Sequence, residues 1–320
     1  MTSEFPVVGV IGAGQLTQMM IAPATALGVK LLPFASSASD SAAQVTPHVI
    51  GDYTDFDAVK KFAELCDVVT FEHKLIPLSI IKSLERAGIV VRPSSESFER
   101  SRDKELMGKK IAHINSLENR VESTSTEIAV MVARSPHSQA TSWAPTQVFQ
   151  RDGVCTVTVT PVPLITTEVS EKAQRIALDI AADVKLIGVM AVGMFIKGHE
   201  ILVNEIAPCP HNSGLWTIEG SRTSQFEQHL RAILDLPLGD PSMTDEFAVM
   251  GNIFGTDKTD MYRPYLHLMA RNPSLKFHMY SKEVRLGRKI GHLNIVGKDL
   301  MHLRSEIEHA IDYLSGEVDE

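Results

Sequence analysis

Short apolar runs alternate with amphipathic segments from the start of the chain, and that rhythm restricts the first hundred residues to an α/β fold. Val7 to Ile11 reads as a buried strand, Gly12-Ala13-Gly14 makes a tight turn, and a helical pattern runs from about Gln15 to Leu27. Further strands at about 29–34, 67–71 and 89–91 alternate with helical segments near 55–65 and 76–87. This order predicts a parallel sheet. A helix from about Ser95 to Ile111, with Glu99, Arg100, Arg102, Asp103, Lys104 and Glu105 on a solvated face, leaves this first unit.

The pattern then changes. Residues Asn115 to Thr126 are polar and carry no apolar stripe, which marks a linker. Ile128–Ala133, Thr146–Phe149 and Val154–Thr160 read as antiparallel strands, a helix spans about 168–183, and strands at 188–196 and 200–206 follow. Ser224 and Glu227 stand at capping-box spacing ahead of a helix with Phe226, Leu230 and Ile233 on one face. Beyond Pro241, the strand Phe247–Phe254, a helix near 261–271, strands near 275–280 and 292–296 and a last helix from about 298 form a small α+β module. The expected division is 1–112, 113–240 and 241–320.

With 39 acidic against 31 basic residues the net charge is −8, which opposes broad nucleic-acid or anionic-membrane binding but leaves room for a local basic pocket. Cys66, Cys155 and Cys209 are odd in number and far apart, so neither a disulfide framework nor a zinc motif is indicated. The N-terminal residues lack a secretory pattern, and no apolar stretch is long enough to cross a bilayer. A cytoplasmic protein is expected.

Four clusters carry chemistry. Asn204-Glu205, after the apolar run Ile201-Leu202-Val203 and before a turn stiffened by Pro208 and Pro210, puts an amide and a carboxylate at a strand end; Glu205 suits Mg²⁺, or the segment is a polar turn that holds an acid. Phe71-Glu72-His73-Lys74 ends a parallel strand, where open α/β sheets gather ligands. Lys282, Arg285, Arg288, Lys289 and His292 crowd around Gly287, either a pocket for a phosphate monoester or a solvated loop. The glycine turn lacks the third glycine of a dinucleotide fingerprint, since Thr17 stands there, and no acid ends the second strand to hold a ribose. Asp152 reads as a turn residue in Arg151-Asp152-Gly153, His211 as a ligand-facing residue or a loop donor, and Trp143 and Trp216 as packing.

Taken in order, Gly12-Ala13-Gly14-Gln15-Leu16, Ala42-Ala43-Gln44-Val45, Val69-Thr70-Phe71-Glu72-His73, Arg92-Pro93-Ser94, Arg151-Asp152-Gly153-Val154, Asn204-Glu205-Ile206-Ala207-Pro208, Pro210-His211-Asn212-Ser213-Gly214, Trp216-Thr217-Ile218-Glu219-Gly220, Thr223 to Arg231 and Gly287 to His292 resemble the N5-carboxyaminoimidazole ribonucleotide synthetases, ATP-grasp enzymes of purine biosynthesis. The resemblance implies a Rossmann-like pre-ATP-grasp domain, an ATP-grasp core and a C-terminal α+β module. It also implies ATP-driven activation of bicarbonate to carboxyphosphate and carboxylation of aminoimidazole ribonucleotide, with ATP and Mg²⁺ required and a homodimer as the assembly. By the same resemblance Glu72, His73, Asp152 and His211 would be catalytic, and Gln15, Leu16, Lys282, Arg288 and Lys289 would bind the ribonucleotide. Lys104, Asn204 and Glu205 would meet ATP, with Glu205 on the metal. Between Ile111 and Ile128, where the family carries a lid subdomain over the ATP phosphates, only the linker stands, so the core is expected to be truncated. Gly193 takes the position of a metal-binding glutamate and Lys74 that of an acid. The alternative is a catalytically impaired relative that keeps the ribonucleotide pocket as a binding or assembly protein.

Overall fold

The computed structural model describes residues 5–102, 125–151, 153–257 and 260–318. Four parallel strands form the first sheet in the order β3 (Val49–Ile50), β2 (Lys30–Ala35), β1 (Val7–Ile11) and β4 (Val68–Phe71). Both faces of this sheet are covered, as the apolar runs require. Val8 and Val10 pack with Met20 and Ala24 of the helix Gln15–Ala26, while Ile11, Val69 and Phe71 pack with Val59, Phe62, Ile81 and Leu84 of the helices Phe56–Ala63 and Leu78–Arg86 on the other side. The strand expected at 89–91 is a single parallel bridge, Val69 to Val91, because Pro93 has no N–H to continue the ladder. The helix Ser95–Arg102 is seen in part, and Lys104 with most of the expected linker lies outside the described residues.

The second sheet is antiparallel and has nine strands. Its order is β10 (Glu200–Ala207), β9 (Gly188–Lys197), β5 (Thr126–Arg134), β7 (Thr146–Arg151), β8 (Val154–Thr160), β11 (Phe247–Phe254), β13 (Lys289–Gly297) and β12 (Lys276–Met279), with β6 (Ala140–Ser142) beside β5. The strands of the expected C-terminal α+β module extend the central sheet. β8 would otherwise end as an open edge, and β11 takes up its hydrogen bonds through Ala248–Thr160 to Gly251–Val157.

Period-two alternation divides this sheet cleanly. Ile128, Val130 and Val132, with Val192, Met194 and Ile196, face the helix Thr167–Asp183, which Thr166 caps. The opposite face meets the first domain. The helix Gln225–Ile233, capped by the Ser224 hydroxyl on the Glu227 N–H, buries Phe226, Leu230 and Ile233 in one cluster with Val8, Leu16 and Met20. Trp143 and Trp216 are fully buried in that cluster, as packing residues. His229 fastens the junction: its Nδ1 accepts the Val189 N–H at 3.1 Å, so its Nε2 carries the proton given to Thr70 Oγ1 at 2.8 Å. No helix among the described residues is long and apolar enough to cross a membrane.

Candidate functional site

On the second sheet a cavity of about 300 Å³ is lined by residues of β5, β7, β8, β9 and β10, the turn after β10 and the start of β13. A register shift between Val203 and Glu205 bulges β10 at Asn204, so Asn204 and Glu205 both leave the helix-facing side, where strict alternation would have buried one. Asn204, Glu205, His211 and Lys289 line the same space. The strand tip and the cationic bend, more than seventy residues apart, thus share one wall.

Lys289 is the cation inside. Burial pulls its ammonium below the usual lysine range, helped by Lys282 and opposed by Cys155. No acidic side chain among the described residues is paired with it. Lys282 Nζ donates to Gln15 Oε1 at 2.7 Å, and Gln15 Nε2 reaches Asn212 Oδ1 on the cavity wall at 3.5 Å. Burial first, then the Arg288 guanidinium beside it, lowers Lys282. Lys289 inside the cavity, with Lys282 close enough to lower its pKa and Arg288 beside Lys282, can attract an anion. Arg285, by contrast, is spent on Glu283 at 2.5 Å.

His211 begins the 3₁₀ turn Asn212–Gly214. Its Nδ1 accepts the Ser213 N–H at 3.3 Å, so the neutral ring carries its proton on Nε2. Desolvation lowers its pKa, Glu205 raises it, and Lys289 and Lys74 lower it. A neutral imidazole near a carboxylate can accept a proton from a reacting group.

Three expected site residues hold the frame. Glu72 Oε2 accepts the Gly14 N–H at 2.6 Å and Oε1 the Leu16 N–H at 3.0 Å, so its carboxylate caps the helix Gln15–Ala26. The glycine turn follows from that approach: a Cβ on Gly14 would stand 2.5 Å from Glu72 Oε1, and Gly12 has φ +112°. A pyrophosphate has no place at a helix start already occupied by an acid. Leu16, expected on the substrate side, buries its side chain in the core, because the first turn of the helix lies against β1 and the helix Gln225–Ile233. His73 stands edge-on to Tyr53 at 5.5 Å and accepts the Leu75 N–H at 3.3 Å. Neither Glu72 nor His73 lines the cavity. Asp152 lies outside the described residues.

Glu127 and Gln150 were not anticipated. Gln150 Nε2 donates to both Glu127 carboxylate oxygens at 2.7 Å, and burial raises the Glu127 pKa. The signal was available: alternation along β5 puts Glu127 on the face opposite Ile128.

A metal reading of Glu205 does not fit these donors. Lys74 Nζ stands 2.5 Å from Glu205 Oε1, and with this contact first among the causes the Glu205 pKa is lowered. Across the ladder Glu205 faces Gly193, which has no side chain to ligate. Among the described residues no group of three His, Cys, Asp or Glu could hold a metal ion.

Comparison with known proteins gives this geometry a family. Residues 5–101 match the ribonucleotide synthetase preATP-grasp domain, residues 76–226 the ATP-grasp domain, and residues 248–306 the phosphoribosylaminoimidazole carboxylase C-terminal domain. The N5-carboxyaminoimidazole ribonucleotide synthase of Mycobacterium bovis is 34% identical over 377 residues, covering 97% of this chain and 88% of that protein. That span exceeds the 320 residues of the chain, so the relative carries residues inside the matched region that are lacking here. The crystal structure of N5-carboxyaminoimidazole ribonucleotide synthetase from Thermus thermophilus superimposes with a TM-score of 0.82 at 26% identity, over 98% of this chain and 99% of that one. An ADP complex of another such synthetase gives 0.84 at 25% identity, over 95% and 96%. Fold, three successive domain matches and a relative that covers almost every residue agree, and the chain belongs to the N5-carboxyaminoimidazole ribonucleotide synthase family of ATP-grasp ligases.

Proposed function

We propose that this chain carboxylates the exocyclic amine of 5-aminoimidazole ribonucleotide with bicarbonate at the expense of ATP, through carboxyphosphate, giving N5-carboxyaminoimidazole ribonucleotide, ADP and phosphate. The observation that carries the reading is Lys289, a cation without an acidic partner in the cavity that also presents Asn204, Glu205 and His211. A ribonucleotide phosphate supplies the missing anion, held by Lys289 inside and by Lys282 and Arg288 at the edge. His211, neutral and next to Glu205, is placed to move the proton that the amine loses on carboxylation. Gln15 positions Lys282 and Asn212 on either side of the substrate.

ATP is the proposed nucleotide, with Asn204 on its phosphates and Lys104 as a further contact, while Asp152 would act in catalysis on the bicarbonate side. Mg²⁺ reaches the cavity in this reading only as the counter-ion of ATP, since no carboxylate cluster among the described residues would hold it. The division 1–112, 113–240 and 241–320, a cytoplasmic location and a homodimer complete the reading. Three free cysteines support a reducing compartment.

One observation favours a second reading, a relative that binds the ribonucleotide without turning over ATP: Lys74 sits on Glu205, and Gly193 faces it. Phosphate release from ATP separates the two. Catalysis requires release that depends on both bicarbonate and aminoimidazole ribonucleotide; no release, with ribonucleotide binding intact, establishes the second reading.

A further inference from the structure

Glu205 already has a cation. Its Oε1 lies 2.5 Å from Lys74 Nζ, and the arrangement is fixed from several sides. The bulge at Asn204 turns the carboxylate onto the cavity face. Opposite it Gly193 adds no ligand, and an added Cβ there would make ordinary contact with the Glu205 Cβ at 3.6 Å. The Lys74 loop is held in turn, its carbonyl accepting from Arg102 Nη2 at 2.6 Å. Both charged side chains remain about half exposed, at 48% and 51%, so the ammonium keeps N–H donors that a ligand can reach.

We propose that the Lys74 ammonium stands in place of a divalent cation at this strand tip, neutralising Glu205 and offering its remaining N–H groups to a nucleotide phosphate. A lysine is a compact monovalent charge that donates hydrogen bonds to phosphate oxygens, where a metal would accept their lone pairs. The site therefore needs no metal held by the protein. The first half of the proposal rests on the Lys74–Glu205 geometry alone, and the second half on the nucleotide reading above.

Two measurements on the whole chain test it. Mn²⁺ is titrated into wild type and Glu205→Gln without nucleotide and followed by electron paramagnetic resonance. Equal free-ion signals are expected, and a Mn²⁺ site in wild type that Glu205→Gln removes overturns the proposal. ATP binding is then measured by calorimetry in EDTA. Wild type should bind, and Lys74→Gln should bind roughly ten-fold more weakly, the low end for one charged hydrogen bond. Unchanged affinity in Lys74→Gln overturns the proposal. Binding that appears only with Mg²⁺ overturns it while leaving the nucleotide reading intact, whereas no ATP binding under either condition overturns both.

Discussion

Glu72 and Lys289 show how one residue type can be read two ways. Glu72 ends a parallel strand, a position that suits a ligand-facing acid, yet both of its oxygens are taken by backbone N–H groups at the start of the helix Gln15–Ala26. Glu72→Ala leaves two N–H groups unpaired at a buried turn, and an unmade buried hydrogen bond costs about 1–3 kcal/mol. Urea denaturation should show a loss of at least that size, while a change under half a kcal/mol would remove the capping role. Lys289 is the reverse case, a half-buried cation without an acidic partner among the described residues. Lys289→Met should weaken aminoimidazole ribonucleotide binding by about 1.5–3 kcal/mol, the scale of a charged hydrogen bond, with folding stability unchanged or raised. Calorimetric titration decides this, and unchanged affinity would take Lys289 out of the substrate site.

At the scale of elements, two devices aim the site. The first is the bulge in β10, which moves Asn204 and Glu205 to the cavity side together. The second is the helix Gln225–Ile233, wedged between the helix Gln15–Ala26 and β9, so its start and its apolar face set the distance between the two sheets. Its first turn depends on Ser224, whose hydroxyl accepts the Glu227 N–H at 3.2 Å. Ser224→Ala should cost about 1 kcal/mol, the usual loss for an N-cap. Chemical denaturation measures it, and an unchanged midpoint would show that packing of Phe226 and Leu230 alone holds the turn. This helix was legible from the capping box and the spacing of its apolar residues. The bulge was not, because an extra residue in a strand leaves no mark in a short polar run.

For the molecule as a whole, two buried neutral histidines tie stability to pH: His229 between the two sheets and His292 within the second sheet on β13. Burial drives the His229 pKa down from 6.5 to about 3, and His292 is pushed well below its usual value by burial first and then by His278. Each is neutral in the fold and protonates in the unfolded chain below pH 6.5, so the unfolded state binds more protons in that range. Stability is therefore complete above pH 6.5 and declines as the pH falls towards the folded value of about 3 for His229. One such group corresponds to about 1.4 kcal/mol per pH unit. Urea midpoints at pH 7 and pH 5 should differ accordingly, with a smaller difference in His229→Gln; a flat profile would contradict the neutral histidines.

The sequence by itself determined the parallel first sheet, the antiparallel strands, the capped helices and the motifs of the family, because each is written in residues close together along the chain. It also marked two parts of the cavity wall, the strand tip at Asn204 and Glu205 and the cationic segment that holds Lys289. Only the tertiary structure decided that β11 closes the edge of β8, that Glu72 caps a helix, that Leu16 is core and that Glu127 enters the cavity. It alone brought Lys74 onto Glu205, across 131 positions. Those outcomes depend on which distant groups meet and lose their water together, and no local pattern encodes that.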